Sequence, residues 1–277
     1  RTEELDGLGY EIVEHEWFDD PLAELLEKLC PGPKASDLPL PGCTTMAGEI
    51  GQLRWSLTTE EVERYREAGR LAAQAMEEAV SGVQQGMTEH EMAASLSAEV
   101  CKRGMVPAVV LVARKWGLHV SLTRFVHFGD IPEDLRAKQL AAAKVDAVFI
   151  DGTRPGALVA QIFEAALRAY DEVGFPEEWH LHHQGGATGY EPRSYRAAPG
   201  VPYRVLANQA FAWNPSITGA KSEDTIIATA EGPEVISATP RLPAGSSHRT
   251  STSARVRSRP LTVTFTTGRR GVAEMTS

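Results

Sequence analysis

The chain has 277 residues, 42% of them hydrophobic and 23% charged, and a formal net charge of −9. That balance suits one large or two smaller globular domains and argues against a nucleic-acid or anionic-membrane surface. Three separated cysteines, Cys30, Cys43 and Cys101, with no CxxC pair, indicate neither a zinc knuckle nor a disulfide framework, and no apolar run approaches the roughly 18 residues of a membrane span. Reduced thiols and the lack of a leader-like pattern set the expectation of a cytoplasmic protein.

In chain order, GYEIVEHEW (residues 9–17) alternates like a strand, and the chain enters it almost at once, as a piece of a longer amino-terminal domain would. DDPLAELLEKLCPG predicts a short helix between an acidic start and a Pro-Gly stop. Residues 34–57, broken by prolines and glycines, read as a linker with one short strand or helix. Thr58 and Glu61 then have capping-box spacing. A long helix should run from them to about Val80, with Val62, Tyr65, Ala68, Leu71, Ala72, Ala75, Met76 and Val80 on one face. Thr88 and Glu91 repeat the box, with Gly104 as the stop.

VPAVVLVA (106–113) predicts a buried strand and LHVSLTRFVHFG (118–129) a second, alternating one. A helix from PEDLR should turn near Arg154-Pro155-Gly156, and ALVAQIFEAALRAYDEVGFP should form another, closed by Gly174 and Pro176. Short strands follow in YRVLANQAFAWNPSIT and KSEDTIIATAEGPEVIS. Helices first and polar-bearing strands late indicate α+β rather than alternating βαβ. In the last stretch, 238–277, seven Arg against one Glu leave +6, so the preceding residues carry −15. Its Ser/Thr/Arg composition predicts a disordered basic tail. Such a tail would arise as a tether for an acidic partner or from a shifted reading frame, and the second reading is the favoured one.

The order of TRPG (153–156), His183 with Gly186, YEPR (190–193), AFAWNPSI (210–217) and KSEDT (221–225) resembles the pita-bread family of methionine aminopeptidase, aminopeptidase P, prolidase and creatinase. The resemblance covers about residues 53–237. It implies a pita-bread domain over 58–237, preceded over 1–57 by part of a smaller α/β amino-terminal domain and linker. Metal-dependent members hold two divalent ions with two Asp, one His and two Glu, because close cations need bridging carboxylates.

By that resemblance His183 falls on the ligand His and Glu223 on the last ligand Glu. Asn214 stands where the first Glu would be, and Leu122 and Leu111 stand at the two Asp positions. Tyr190 takes the place of a second, substrate-side His. The first hairpin of the lobe is short and lacks the loop that usually carries another His.

A dinuclear metallopeptidase is therefore not expected. No cofactor is expected, with Mn, Co or Zn only if a reduced site survives. His183 and Glu223 are the catalytic candidates. Tyr190, Arg193, Asn214, Arg124 and His127 are the substrate-binding candidates, Arg because its guanidinium pairs bidentately with carboxylates. A buried ion pair is the other reading of Arg124, and packing is the reading of His119. If its segment is a strand, His182 should face away from His183.

Two functions follow from the resemblance. One is an Xaa-Pro aminopeptidase-, prolidase- or creatinase-like hydrolase of a peptide or small amide C–N bond without the metal pair. The alternative is a non-catalytic module binding a peptide or protein partner. A homodimer is implied, with no nucleic-acid or membrane partner.

Overall fold

The structure is a computed structural model that describes Gly9 and residues 21–109, 112–239, 266–268 and 271–273. The predicted strand over 9–17 lies outside the described residues but for Gly9, as does Leu111. The chain divides into two compact units, residues 1–53 and 54–277. In the first, α1 (Leu22–Leu29) is followed by two short parallel strands, β1 (Lys34–Ser36) and β2 (Cys43–Thr45), and then α2 (Ala47–Leu53). The stretch read as a linker with one element thus carries three.

The second unit begins with α3 (Thr59–Ser81) and α4 (Glu89–Lys102). Each starts on the capping box read from its sequence. The hydroxyl oxygens of Thr58 and Thr88 accept from the amides of Glu61 and Glu91, whose carboxylates return to the cap amides. The apolar face of α3 is buried as its 3.6-residue period requires, from Val62 and Tyr65 to Val80.

The apolar run 106–113 is not one strand. Strands β3 (Val106–Val109) and β4 (Val112–Lys115) pair antiparallel, and β5 (Leu118–Ser121) completes a three-stranded meander. An apolar run with no Gly, Asn or Asp inside it gives no turn signal, which is why the reversal was missed. Similarly, LHVSLTRFVHFG breaks into β5 and β6 (Val126–Phe128).

Helices α5 (Glu133–Gly152) and α6 (Val159–Glu172) flank the TRPG turn. Five strands then form one antiparallel sheet in the order β13-β12-β9-β7-β8, made of β7 (Gly185–Thr188), β8 (Tyr195–Arg196), β9 (Gln209–Trp213), β12 (Asp224–Thr229) and β13 (Gly232–Val235). The small hairpin β10 (Ser216–Ile217) and β11 (Ala220–Lys221) links β9 to β12.

The sheet separates two apolar cores by strand alternation. Phe211, Trp213, Ile226 and Ala228 join Phe149, Phe163 and Tyr170 of α5 and α6. Ala210 and Ile227 join α3, α4, Leu118, Val120 and Leu122 on the other face. Phe149 stacks on Trp213 at 4.4 Å between centroids. The indole N–H of Trp213 donates to Thr153 Oγ1 at 2.9 Å, which ties the TRPG turn to the last residue of β9. Within the stretch predicted to be disordered, β14 (Thr266–Gly268) and β15 (Gly271–Ala273) flank β6. Those six residues are strand because the open edges of β6 supply ladder partners.

Candidate functional site

Register brings the candidate residues to one end of the sheet. Gly185 pairs with Trp213, and Trp213 pairs with Asp224. His183, Asn214 and Glu223 therefore sit just beyond one row of three neighbouring strands, and the amide of Asn214 donates to Gln184 O at 3.2 Å. Two glycines make this possible. A Cβ on Gly185 would lie 2.2 Å from Ala212 O, and one on Gly186 would lie 2.3 Å from Tyr195 O, both at positive φ.

Behind the row, Tyr170 holds two loops together. Its hydroxyl donates to Gln184 Oε1 at 2.6 Å and accepts from the Ser216 amide at 3.0 Å. Gln184 in turn donates to His182 O at 2.6 Å.

Glu223 is the centre of the site and is 4% exposed. Thr123 donates to its Oε2 at 2.7 Å, Lys221 Nζ lies 3.2 Å from the same oxygen, and Arg193 Nη2 lies 3.6 Å from Oε1. Lys221 and Thr123 were not singled out from the sequence. Lys221 stands two residues before Glu223, and period-2 alternation in KSEDT was a signal that both face one way. Burial lowers the Arg193 guanidinium pKa, with Glu223 opposing. Arg193 Nε and the buried Asn214 Oδ1 have no hydrogen-bond partner among the described residues.

The Gly185 amide donates to His183 Nδ1 at 3.3 Å. The neutral ring therefore carries its proton on Nε2, an assignment made from that bond. Burial, then the field of His182, Arg193, Arg196 and Lys221, pushes the His183 pKa down to about 4. His182 does not face away from it. The segment precedes β7 instead of lying in a strand, and the two rings stack at 4.3 Å.

Other candidates are engaged elsewhere. Arg124 donates to Thr239 Oγ1, to the backbone oxygens of Thr123, Glu223 and Ser237, and to Asp224 Oδ1 at 2.8 Å. Its guanidinium is an internal brace, the ion-pair alternative rather than a substrate contact. The Tyr190 hydroxyl meets Glu61 Oε1 on α3 at 2.5 Å, and its ring packs on Gly117, so it also serves structure. His127 lies on β6, its Nδ1 at 3.4 Å from Gly129 O and its Nε2 without a partner among the described residues. His119 is 5% exposed and its Nδ1 contacts Gly189 O, in keeping with packing.

Asp146 on α5 was not anticipated. It is fully buried, accepts from Ser222 Oγ at 2.6 Å, and is pushed up to about 8 by burial first, with Asp224 and Glu223 adding to the shift. Its signal was only a lone acid on an otherwise apolar face of α5.

The paired helices, the meander and the five-stranded sheet between two cores constitute the pita-bread fold. Among solved structures the chain is similar to a dipeptidase from Pyrococcus horikoshii OT3, with 16% identity and a TM-score of 0.73 over 87% of this chain and 82% of that chain. It is similar to a prolidase from Thermococcus sibiricus, with 14% identity and a TM-score of 0.71 over 87% of this chain and 81% of that one. It is also similar to an Xaa-Pro dipeptidase from Bacillus anthracis, with 24% identity and a TM-score of 0.59 over 70% of this chain and 64% of that one. At these identities the likeness defines the fold and leaves the activity open. No family model matches the chain, and no curated protein does.

A divalent metal pair does not fit the residues present. The two oxygens of Glu223 are already held by a hydroxyl and two cations, Asn214 is neutral, and Leu122 is 3% exposed in an apolar core. Hard cations need convergent anionic oxygens, and cationic side chains beside the remaining carboxylate repel them. Among the described residues no three His, Cys, Asp or Glu side chains group as metal ligands.

Proposed function

We propose that this chain is a pita-bread protein that holds a peptide or small amide at the His183–Glu223 site, by side-chain chemistry and with little or no turnover. The observation that carries this reading is the donor character of the site. Arg193 and Lys221 both reach Glu223, and the fields of both act on the neighbouring His183 ring. A ring whose pKa lies near 4 and whose Nδ1 is committed to Gly185 is a poor general base near neutrality. Donors converging on an acceptor suit a carbonyl or carboxylate oxygen of a ligand.

The second reading is a metal-independent hydrolase. It draws on the same donors, which would stabilise an oxyanion, each such donor being worth ~10²–10³ in rate. That is far below what most hydrolases require without an activated nucleophile. The Xaa-Pro and dipeptide substrates named for the similar structures are the first to try, with creatine as a third. No helix among the described residues is long and apolar enough to cross a membrane. A cytoplasmic location and a homodimer remain part of the proposal.

The test is a turnover and binding assay on Xaa-Pro dipeptides and creatine, with the wild-type chain beside His183→Ala. Saturable binding without turnover above the variant's background supports the module. Robust turnover abolished in His183→Ala establishes the hydrolase instead.

A further inference from the structure

The turn between β4 and β5 runs against the backbone preference of one of its residues. Lys115 pairs with Leu118, so the loop consists of Trp116 and Gly117, both at positive φ, +53° and +81°. Two central residues at positive φ make the type I′ hairpin turn, for which Asn-Gly is a favoured pair. Gly117 meets that requirement. Trp116 does not, because a bulky side chain at positive φ is an outlier. The other non-glycine residue at positive φ among the described residues is an asparagine, Asn208, which tolerates the conformation. Burial does not account for the tryptophan either, since it is 51% exposed. A strained side chain that the core does not use points to a use at the surface.

The surroundings of Trp116 give that surface a sign. Lys115 Nζ, held by Gly104 O at 2.9 Å, lies 4.8 Å from the centre of the Trp116 ring. Arg114 is exposed and stands opposite Val106, itself 54% exposed on the outer strand of the meander. A cation and an apolar side chain thus share one exposed face of the hairpin. Lys102 and Arg103, at the end of α4, are both answered by Glu99 at 2.6 and 2.7 Å, and Arg103 borders a groove with Glu77 and Glu78 of α3. Glu67, whose carboxylate feels the field of Lys115, is held by Arg70. Arg114 and Lys115 form no ion pair with a carboxylate among the described residues. On a chain of net charge −9, two unanswered cations beside two exposed apolar side chains are a local reversal of sign.

We propose that the β4–β5 turn is a docking point for an acidic segment of a protein partner, with Trp116 as its apolar anchor and Arg114 and Lys115 as its counter-charges. Trp and Arg are the residue types that most often dominate binding energy at protein interfaces. The turn lies at the opposite end of β5 from Thr123 and Glu223, so the proposal is independent of the ligand reading above. A short run of carboxylates meets Arg114 and Lys115, while an apolar side chain among them covers Trp116 and Val106. A nucleic acid fits less well, because its charge extends far beyond one hairpin and meets the negative remainder of the chain.

The experiment is an anisotropy titration of the full chain at low ionic strength with dye-labelled acetyl-Glu-Glu-Phe-Glu-Glu-amide. The controls are the same peptide with Lys in place of Glu, the same peptide with Gly in place of Phe, and a thymidine oligonucleotide. The acidic peptide is expected to bind more tightly than every control. Trp116→Asn and Arg114→Glu should each weaken it by about tenfold or more, as loss of an anchoring Trp or Arg does. Because Asn-Gly suits the turn, Trp116→Asn should leave the urea midpoint unchanged or higher, which separates lost binding from lost folding.

A lower urea midpoint in Trp116→Asn would show the ring to be part of the fold and would overturn the proposal. Equal affinity for the acidic peptide and either peptide control would overturn it too, as would acidic-peptide binding that survives Trp116→Asn, or no peptide binding at all. Tighter binding of the oligonucleotide, with the same losses in both variants, would overturn the acidic segment as the class of partner.

Discussion

The hydroxyl of Thr123 donates to Oε2 of Glu223 at 2.7 Å, and the backbones of the same two residues form a bridge, so the buried carboxylate is fixed twice by a partner 100 residues away. Thr123→Val keeps the shape and removes the donor. A buried anion that loses one hydrogen bond costs ~1–3 kcal/mol. The urea midpoint should fall accordingly, and Thr123→Ser should recover most of it. An unchanged midpoint in Thr123→Val would mean that the two cations alone satisfy Glu223.

His183 sets an acid limit. Its folded pKa, about 4, lies below the ordinary imidazole value of 6.5. The unfolded chain then binds more protons between those values, so stability rises with pH across that window and falls as pH drops from about 6.5 toward 4. Denaturant midpoints at several pH values should show this slope, and His183→Gln should flatten it. An NMR titration placing the His183 ring near 6.5 would contradict the buried, cation-flanked environment.

Asp146 acts in the opposite direction. Its folded pKa, about 8, lies above the ordinary 3.8, so its contribution is fully present below about 3.8 and is lost as pH rises through about 8. Asp146→Asn keeps an acceptor for Ser222 Oγ and abolishes the titration. It should raise the thermal midpoint by a few degrees at pH 8 and change it little at pH 4. A lower midpoint at pH 8 would show that the ionised form is the one the fold uses.

Gly185→Ala should be severe. The added Cβ would lie 2.2 Å from Ala212 O and 2.8 Å from Trp213 Cα, at a φ of +100°. Backbone on both sides leaves nothing to give way, so the loss should exceed the ~1 kcal/mol of an ordinary glycine replacement. Soluble yield and the urea midpoint measure it. A variant as stable as wild type would mean that β7 and β9 are more widely spaced than described.

Local signals in the sequence carried much of this fold. Both capping boxes, the face of α3 and the TRPG turn follow from near neighbours in the chain and short-range hydrogen bonds, and all were read correctly. The β3–β4 reversal was not, because its strands are apolar through the turn and carry none of the residues that mark one.

Motif order reached as far as His183, Asn214, Glu223 and Arg193, which the strand register and ion pairs gather at one end of the sheet. What escaped was the assignment of partners. Whether Arg124 faces a ligand or braces the strand end depends on Thr239, Ser237 and Asp224, which are brought to it only by the folded sheet. Tyr190 stands where the resemblance puts a second His, and its hydroxyl partner Glu61 lies 129 residues earlier, beyond any local pattern. Asp146 had no neighbour in sequence to announce it.

The Lys221–Glu223–Arg193 arrangement also bears on how such a scaffold could be redesigned. Leu122→Asp, made alone to rebuild a metal ligand, would place a carboxylate in an apolar core, one residue before the Thr123 that holds Glu223. Asn214→Glu alone would give the nearby cations a second counter-ion and form a salt bridge, not a ligand. Each single step thus either buries an unpaired charge or tightens the existing pairing. A chain converted one residue at a time would pass through intermediates that neither hold a metal nor keep the present Lys221–Glu223–Arg193 pairing. Reaching a metal centre from here requires the two cations to be removed together with the arrival of the new carboxylates.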